Sequence, residues 1–473
     1  MTGVPSRREV LRGGLLAAGV ALSSGRAAPA AAATPAADPW LRARSLARRV
    51  RPPRFPHRWL DVTRFGAVGD GSADCTEAFA RAIRACARAG GGHVVVPPGR
   101  FSTGPIHLRS NVDLHLTAAA TIAFSTDVTR YLPVVFTRFE GTELFNYSPL
   151  IYAFGQRNIG VTGAGTLDGQ ADPAHWWPWS GKADFGWQPG QPSQTDASNR
   201  LREMGQQGVP VGQRVFGTGG FLRPNFLQPY RCRDVLIDGI TIRNSPMWEI
   251  HPVLSRNVLV QNVTVVSHGP NNDGCDPESS RDVVIRRCTF DTGDDCVAIK
   301  SGRNADGRRV NVPSQDILVT DCEFRAGHGG VTVGSEMSGG VRAVFAEHLR
   351  MTSPNLDIAL RFKTNSLRGG FIDDYHARDI TVGSVTTSAV DVNFFYDEGP
   401  GHGFNPSVGG IDVRDLTVDT AQRAFSLRGY PDDPVHGVEL RRVTVDHTTA
   451  PDVIENVDDL VLRDVRENGE LVR

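Results

Sequence analysis

Side chains of the kinds used in acid–base chemistry recur at the ends of short apolar runs between residues 271 and 363. Asp273 follows one run, the adjacent Asp294 and Asp295 follow the next, and His328 lies between glycines after a third. A carboxylic acid can protonate a leaving group, and a second carboxylate can activate water. Where carboxylates cluster, one of them tends to stay protonated near neutral pH. These residues therefore predict acid–base catalysis, provided that the fold brings them together.

Two cations follow on the next apolar run. Arg361 and Lys363 are two residues apart, so on one strand both side chains point to the same face. Two cations on one face suit a substrate that carries carboxylates. The chain has a formal net charge of −1 and no strongly basic segment, which argues against nucleic acid as a partner. We therefore expect an acidic substrate that a few placed cations recognise.

A repeated phrase of short apolar runs must position these residues. Copies of the phrase start at or near Val235, Val258, Val283, Ile317, Val344, Ile411, Val438 and Leu460. A period in the twenties with two or more short strands per copy is typical of a β-solenoid, in which each coil buries its inward residues against its neighbours. We predict an all-β fold, a right-handed parallel β-helix. A β-sandwich is the alternative, but its strands would not repeat one phrase.

The repeat also predicts which site residues lie side by side. Asp294 and His328 each lie 11 residues after the first apolar residue of their copy, whereas Asp273 lies 15 residues after its own. Parallel strands stack about 4.8 Å apart, so the acids, the histidine and the cations should line a groove about 15 Å long. Gly293 permits a bend that could bring both of the adjacent aspartates into it. A solvated turn or a calcium site is the alternative interpretation of the acids.

Four motifs in this order resemble the polygalacturonase family, glycoside hydrolase family 28. They are Asn271-Asn272-Asp273, Gly293-Asp294-Asp295, Gly327-His328-Gly329 and Arg361-Phe362-Lys363. The resemblance covers about residues 60–450. The phrases around Asp273–Pro277 and Ser335–Gly340 are more similar to the exo-acting and bacterial branches than to fungal endo-enzymes, so exo-action is expected.

The resemblance implies an inverting glycoside hydrolase that cleaves α-1,4-galacturonosidic bonds in pectic polysaccharide, with no cofactor and no metal. The implied catalytic residues are Asp273, Asp294, Asp295 and His328. The implied substrate-binding residues are Asn271, Arg361, Lys363 and Tyr396. Asp294 would be the general acid, and Asp273 and Asp295 would hold and activate water. His328 would bind substrate and support protonation of the acid, and the cations would hold a uronate carboxylate.

Other functions remain open on the same scaffold. The enzyme could act on another pectic backbone, such as rhamnogalacturonan or xylogalacturonan. A calcium-dependent pectate lyase or a non-catalytic glycan-binding solenoid are further alternatives. In each case the expected partner is an acidic polysaccharide such as pectin, and the protein is expected to be a monomer.

The N-terminal residues predict export. Residues 1–35 contain the twin-arginine pattern Ser6–Leu11, the short apolar run Gly13–Ser23 and a small-residue cleavage site at Ala31–Ala33. No later segment has 18 consecutive apolar residues, so no membrane partner is expected for the secreted chain. Residues 36–59 are predicted to be a linker, and residues 60–473 a single β-helix domain.

Two segments depart from the repeat. Asp74–Ala89 has helical periodicity and is predicted to cap one end of the solenoid. Residues from about 170 to 221 form an insertion with four tryptophans, and aromatic rings stack on sugars. We expect a cleft wall; the alternative is a loop that buries its own aromatic rings over the solenoid.

Cysteines occupy the repeat itself. Cys288 and Cys322 stand at the phase of Ile240 and Val263, which favours inward-facing thiols over a disulfide between them. The odd total of seven cysteines leaves at least one thiol unpaired in any case.

Overall fold

Short parallel strands, stacked in successive coils, make up most of residues 38–472, the part of the chain that the computed structural model describes. The predicted export signal, residues 1–35, lies outside the described residues. Within residues 38–472 no helix is long and apolar enough to cross a membrane. The strands line three faces, and because crossovers between parallel strands are right-handed, the coil is a right-handed β-helix.

The first face contains strands that pair in register from coil to coil. They are Trp59–Asp61, Gly92–Val96, Val112–Leu116, Arg157–Gly163, Arg233–Asp238, Arg256–Gln261, Arg281–Arg286, Ser314–Thr320, Val341–Leu356, Phe371–Ser384, Ser407–Ala421, Val435–Thr448 and Val461–Glu467. The strands of the second face are Asp70–Asp74, Gly99–Thr103, Ala120–Phe124, Thr166–Asp168, Thr241–Arg243, Thr264–Ser267, Thr289–Thr292 and Glu323–Gly327. From Val341 onward, single long strands run through both faces.

The third face carries the candidate site. Its strands are Ile106–His107, Ile151–Phe154, Leu227–Tyr230, Val297–Ile299, Val331–Gly334, Ile358–Lys363, Ser388–Asn393, Arg423–Arg428 and Val453–Glu455. Bridges at Ile250, Val253, Cys275 and Glu278 continue the ladder between them. The remaining strands are the antiparallel hairpin Val135–Phe139 and Thr142–Asn146, and the short strands Val457–Asp458 and Glu470–Leu471. The helices are α1 (Pro39–Arg49), α2 (Thr76–Arg88), α3 (Thr195–Gln206) and α4 (Asn304–Val310), with 3-10 turns at Val62–Phe65, Val128–Tyr131, Trp177–Ser180, Ala183–Phe185 and Val211–Gln213.

The predicted repeat is confirmed by the pairing of its first apolar residues. Val258 pairs with Val283, Val283 with Ile317, and Ile317 with Val344. One copy escaped prediction because it begins with an aromatic residue: Tyr375 pairs with Val344 on the preceding coil. All of these side chains lie in the central hydrophobic core.

Aspartate or asparagine precedes most of the copies for a conformational reason. Asn257, Asp282 and Asp316 have φ of 55°, 56° and 56°, and Asn262 and Asp321, five residues on in their coils, have φ of 55° and 54°. Asn and Asp enter this left-handed region more readily than other side-chain-bearing residues. These residues turn the chain at the ends of their first-face strands.

Helix α2 caps the N-terminal end of the coil stack, as predicted. The helix begins at Thr76, and Asp74, just before it, accepts hydrogen bonds from the amide and hydroxyl of Thr76. Phe79, Ile83 and Cys86 on its inner side belong to the central core.

The prediction of a linker over residues 36–59 is wrong, because Pro39–Arg49 forms helix α1. Trp40, Ala43 and Leu46 are fully buried against outward-facing residues of the first face, among them Leu259 and Phe345. The signal was present in the repeat: its strands carry three apolar residues in succession, as in Val258–Val260, and the middle one needs a cover.

The cysteines are free thiols, and all seven are buried. Cys288 and Cys322 are almost fully buried in the inward row that holds Ile240 and Val263. The preference for packed thiols over a disulfide is therefore confirmed.

Candidate active site

The predicted motifs meet in one cleft at the edge of the third face. Each catalytic candidate lies in the bend that leads from a second-face strand into a third-face strand. The cleft has a volume of about 230 Å³. It is lined by Glu140, Lys182, Arg202, Trp248, Asn271, Asp273, Asp294, Lys300, Arg303, His328, Ser335, Glu336, Lys363, Tyr396 and Asp397. Of the predicted set, only Asp295 and Arg361 do not line it.

Strand register explains this assembly. Val297 pairs with Val331, so Asp294 and His328, three residues before each, lie on adjacent rungs as predicted. Cys275 bridges to Val297, so Asp273 lies in register with Asp295 rather than with Asp294. Gly293 has no room for a side chain, because a Cβ there would lie 2.5 Å from a backbone oxygen of the preceding coil.

Asp294 and His328 form a hydrogen-bonded pair, with 3.0 Å between Oδ1 and Nδ1. This bond raises the pKa of His328 above its usual value. Burial acts to raise the pKa of Asp294, but the bond from His328 and the ammonium group of Lys363 outweigh it, and the pKa lies below its usual range. The free site therefore places the proton of this pair on the imidazole.

The pKa of Asp273 is shifted upward, in contrast to that of Asp294. The side chain of Asp273 is almost fully buried, and Lys300 Nζ lies 3.2 Å from Oδ2. Burial raises the pKa of Asp273 to about 7, with the charges of Asp294 and Asp295 adding to the effect and Lys300 opposing it. Near neutral pH this carboxyl alternates between acid and base forms.

Asp295 lies behind the cleft and is fully buried. Lys363 Nζ is 2.7 Å from Oδ2, and Arg361 Nη1 is 3.2 Å from Oδ1. Burial raises the pKa of Asp295, but these two cations lower it further, so the group is ionised. The two predicted uronate-binding cations thus already hold a protein carboxylate, and Lys363 alone also reaches the cleft.

Tyr396, the fourth substrate-binding candidate, lies beside these cations. The ammonium of Lys363 is 5.1 Å from the ring centroid and the guanidinium of Arg361 is 5.7 Å from it. Cations at this distance are attracted to the ring face. The tyrosine therefore lies at the same end of the cleft as Lys363.

The first motif contributes one residue to the cleft and one to the scaffold. Asn271 lines the cleft, and its side-chain oxygen accepts a hydrogen bond of 2.7 Å from Arg223. Asn272 is fully buried and accepts bonds from Ser267 and the amide of Gly269, while its nitrogen donates to two backbone carbonyls. Asn272 thereby clamps the bend that presents Asp273.

Lys300 is the main residue that the sequence analysis missed. Besides Asp273, its ammonium lies 3.5 Å from Glu336 and 4.5 Å from the ring centroid of Trp248. The strand register could have revealed Lys300 as a site residue. Glu278 bridges to Lys300, and the same ladder continues through Gly334 to Lys363.

Two further buried carboxyls, Glu249 and Asp276, surround Asp273. Burial, and then the charge of Asp273, raise the pKa of each well above its usual value. Both groups are thereby shifted toward their neutral forms, which favours Asp273 and Glu336 as the charged partners of Lys300, although Asp276 also lies 3.9 Å from its Nζ. Nothing in the sequence marks a carboxyl that will be buried in this way.

A chain of ion pairs closes one side of the cleft. Arg202 on helix α3 lies 2.7 Å from Glu140, which also contacts Arg303 at 3.2 Å. Arg303 in turn lies 3.4 Å from Glu336. Four segments that are separate in sequence are joined in this wall, which spacing alone could not predict.

The insertion lines the cleft as expected, but through Lys182 and Arg202. The expectation that its tryptophans would face the cleft is wrong. Trp176 is buried with its ring centroid 5.3 Å from that of Tyr131, and Trp177 donates a hydrogen bond to the backbone oxygen of Ser245. These rings anchor the insertion to the solenoid.

The three carboxylates of the motifs each offer an oxygen within 4.8 Å of the others, a geometry that could suit a cation. Lys300 contacts one of them, Lys363 another, and His328 the third. Protein cations therefore already supply the positive charge that a calcium ion would bring.

Comparison with known proteins agrees with this geometry. The family profile Glycosyl hydrolases family 28 matches residues 217–461, more than half of the chain, and includes all of the predicted site residues. The profile Rhamnogalacturonase A/epimerase, pectate lyase-like matches residues 59–127. The chain is a glycoside hydrolase, and it belongs to family 28.

Individual relatives extend over most of the chain. A probable polygalacturonase of Vitis vinifera is 29% identical over 397 residues, which cover 80% of this chain and 73% of the relative. An exo-poly-alpha-D-galacturonosidase of Dickeya chrysanthemi is 27% identical over 72% of this chain and 58% of its own length.

Solved structures confirm the fold. The hyperthermoactive exopolygalacturonase from Thermotoga maritima superposes with a TM-score of 0.89 at 46% identity, over 92% of this chain and 97% of that one. The family 28 exopolygalacturonase of Yersinia enterocolitica superposes with a TM-score of 0.69 at 20% identity, over 88% and 79% of the two chains.

Proposed function

We propose that this chain hydrolyses α-1,4-galacturonosidic bonds in pectic galacturonan. One observation carries the proposal: a buried carboxyl with a pKa of about 7, a hydrogen-bonded carboxylate–imidazole pair and an ammonium group line a single cleft. Family membership and the polygalacturonase names of the relatives support the same substrate.

In the proposed reaction, water attacks the anomeric carbon while the glycosidic C–O bond breaks. Asp273 in its ionised form accepts a proton from the water. The Asp294–His328 pair gives a proton to the leaving oxygen, through Asp294 as the donor. Lys363 binds the carboxylate of the uronate sugar, and Asp295 fixes the position of that ammonium.

The distance between the carboxyl groups bears on the stereochemistry of hydrolysis. The resemblance implies inversion, but inverting enzymes usually keep their two carboxyls about 6.5–9.5 Å apart. Here the three carboxylates approach within 4.8 Å. We propose inversion, and proton NMR of the first-formed product tests it. Inversion yields the β-anomer from an α-linkage, whereas α-anomer at early times would indicate retention.

We further propose exo-action. The ion-paired wall formed by Arg202, Glu140 and Arg303 limits the cleft on one side. The volume of the cleft, about 230 Å³, is below the roughly 300–1,000 Å³ of pockets that enclose a drug-sized ligand. Such a site suits a chain terminus better than the middle of a polymer.

A timed digest of polygalacturonate tests the activity and its mode together. We expect saturated galacturonate monomer from the earliest samples, with undiminished rate in the presence of a chelator. Mixed oligomers at early times would replace exo- with endo-action. An unsaturated, ultraviolet-absorbing product that needs calcium would indicate a lyase, and turnover of rhamnogalacturonan or xylogalacturonan alone would indicate another pectic backbone.

We also propose that the protein is exported by its twin-arginine signal and works as a secreted monomer. The pattern Ser6–Leu11 supports the first point. Replacement of Arg7 and Arg8 by lysine should abolish export in a host with this pathway, and light scattering after gel filtration should give the mass of one chain. Export of the lysine variant, or a dimer mass, would contradict these proposals.

A further inference from the structure

Lysine is almost absent from this chain. Only three of its 51 lysine and arginine residues are lysines, namely Lys182, Lys300 and Lys363. All three line the candidate cleft. Arginine supplies the other guanidinium or ammonium charges of the chain, and Arg202 and Arg303 line the same cleft. Lysine offers a compact point charge with three freely rotating donors, whereas arginine offers a rigid planar fork.

Two of the lysines are held by protein acids. Lys300 contacts Asp273 and Glu336, and Lys363 contacts Asp295. The cleft arginines Arg202 and Arg303 are likewise each paired with a glutamate. Within residues 38–472, the ammonium of Lys182 has no ion pair or hydrogen bond, and it is exposed on the cleft.

The backbone on both sides of Lys182 is fixed. Its amide donates to Ser180 Oγ at 3.3 Å, and its carbonyl accepts bonds from the amides of Phe185 and Trp187. Gln194 joins the same loop to the cleft, because its amide donates to the Trp179 carbonyl and its side-chain oxygen accepts from the Nε of Arg223.

Arg223 completes the connection to the predicted site. The guanidinium that holds Gln194 also donates to Asn271 Oδ1 at 2.7 Å. The loop that carries Lys182 is therefore set against the motif that carries Asp273. The backbone that carries Lys182 is thus fixed at the wall of the cleft, and its side chain presents there an ammonium group that is unpaired among the described residues.

We propose that Lys182 is a second carboxylate-binding residue, which takes the carboxylate of a uronate sugar other than the one bound at Lys363. The inference rests on the proposed function. It makes the insertion a determinant of specificity, because a substrate with free carboxylates on neighbouring sugars satisfies both ammonium groups, and an esterified one does not.

Steady-state kinetics on trigalacturonate and on its methyl ester test the proposal. Lys182→Ala should raise KM for the acid about tenfold, the size of effect expected when a charged hydrogen bond is lost, with kcat within twofold. The same change should leave the kinetics on the ester unaltered. Lys182→Arg, which keeps the charge, should recover part of the loss.

Arg200→Ala is the matched control, because Arg200 is an exposed cation of the same insertion that does not line the cleft. It should leave KM unchanged. A KM for Lys182→Ala equal to wild type, or an equal loss on acid and ester, would overturn the inference while the activity stood. If the wild-type protein released no galacturonate from the acid, the proposed function would be wrong, and this inference with it.

Discussion

The hydrogen bond between Asp294 and His328 determines how the site stores a proton. The bond stabilises imidazolium and carboxylate together, so the pair retains one proton to a higher pH than histidine alone. The proton can reach the leaving oxygen through Asp294 even though the imidazole holds it in the free site. The pair thus does the work that the resemblance assigns to Asp294 as general acid.

Replacement of Asp294 by asparagine tests this role. An amide cannot pass on a proton, so kcat should fall by about 100- to 10,000-fold, the usual contribution of a general acid. The side chain is partly exposed to the cleft, so the fold should survive. Hydrolysis rate and circular dichroism are the measurements.

Asp291→Asn supplies the control for that substitution. Asp291 lies on the adjacent strand, pairs with His268 and does not line the cleft. The control should keep wild-type turnover. If Asp294→Asn kept it as well, Asp294 would have no part in proton transfer.

The same residues predict the pH dependence of kcat/KM. Asp273 must be ionised to accept a proton, so activity should fall as the pH decreases through its pKa of about 7. The Asp294–His328 pair must hold its proton, so activity should also fall as the pH rises through the raised pKa of His328. A bell-shaped profile is therefore expected, with an acid limb set by Asp273 and an alkaline limb set by the Asp294–His328 pair.

Circular dichroism across the same range separates catalysis from unfolding, and it should stay constant over both limbs. Activity that continued to rise well below pH 7 would show that Asp273 is not the base. A flat alkaline side would remove His328 from proton storage.

For individual residues, the sequence predicts most positions in the site but not the charge states of the groups around them. Counting along the repeat placed Asp294 beside His328, since both follow strands of fixed register. It could not give the roles of Lys300 and Glu249, because these depend on burial and on neighbours from other coils.

Among the elements, helix α1 was the least expected. It crosses the outer side of the first face, where Trp40 lies with its ring centroid 5.9 Å from that of Phe345 and 3.8 Å from the guanidinium of Arg378. Arg42 and Arg49 pair with aspartates of three different coils. A helix that contacts several coils should stabilise their stacking.

Trp40→Ala tests this function. Loss of a fully buried tryptophan should lower the free energy of unfolding by about 3–5 kcal/mol. The cleft lies on another face, so kcat/KM below the unfolding transition should stay within twofold of wild type. Thermal unfolding followed by circular dichroism gives the first quantity.

Leu41→Ala is the matched comparison on the same helix. Leu41 is 56% exposed, so its removal should change stability by less than about 0.5 kcal/mol. Equal effects of the two substitutions would mean that α1 contributes nothing through its buried face.

The insertion shows why a composition argument can give the right element and the wrong side chains. Its tryptophans bury their rings against the solenoid because a long excursion needs an apolar anchor. The cleft then receives the polar residues of the insertion. Sequence composition identifies such a segment, but only its packing decides which face meets the substrate.

For the whole molecule, fold prediction succeeded because every coil of a solenoid makes the same kinds of contact with its neighbours. Each coil places apolar residues inward at the same positions, so one phrase determines many contacts. The same regularity accounts for Cys288 and Cys322, which occupy small apolar positions of the repeat, and all seven cysteines belong to the central core that is continuous along the stack.

This packing predicts the thiol chemistry of the whole protein. All seven cysteines are free and buried, and burial raises the pKa of Cys232 to about 12 and that of Cys275 well above its usual value. Thiol reagents attack the thiolate, so the native protein should react with close to none of its cysteines. After denaturation without reductant, all seven should react, and a reductant should leave the melting temperature unchanged. Fewer than seven reactive thiols in the denatured protein would mean that disulfides form in solution and that the coil interior is packed differently at those positions.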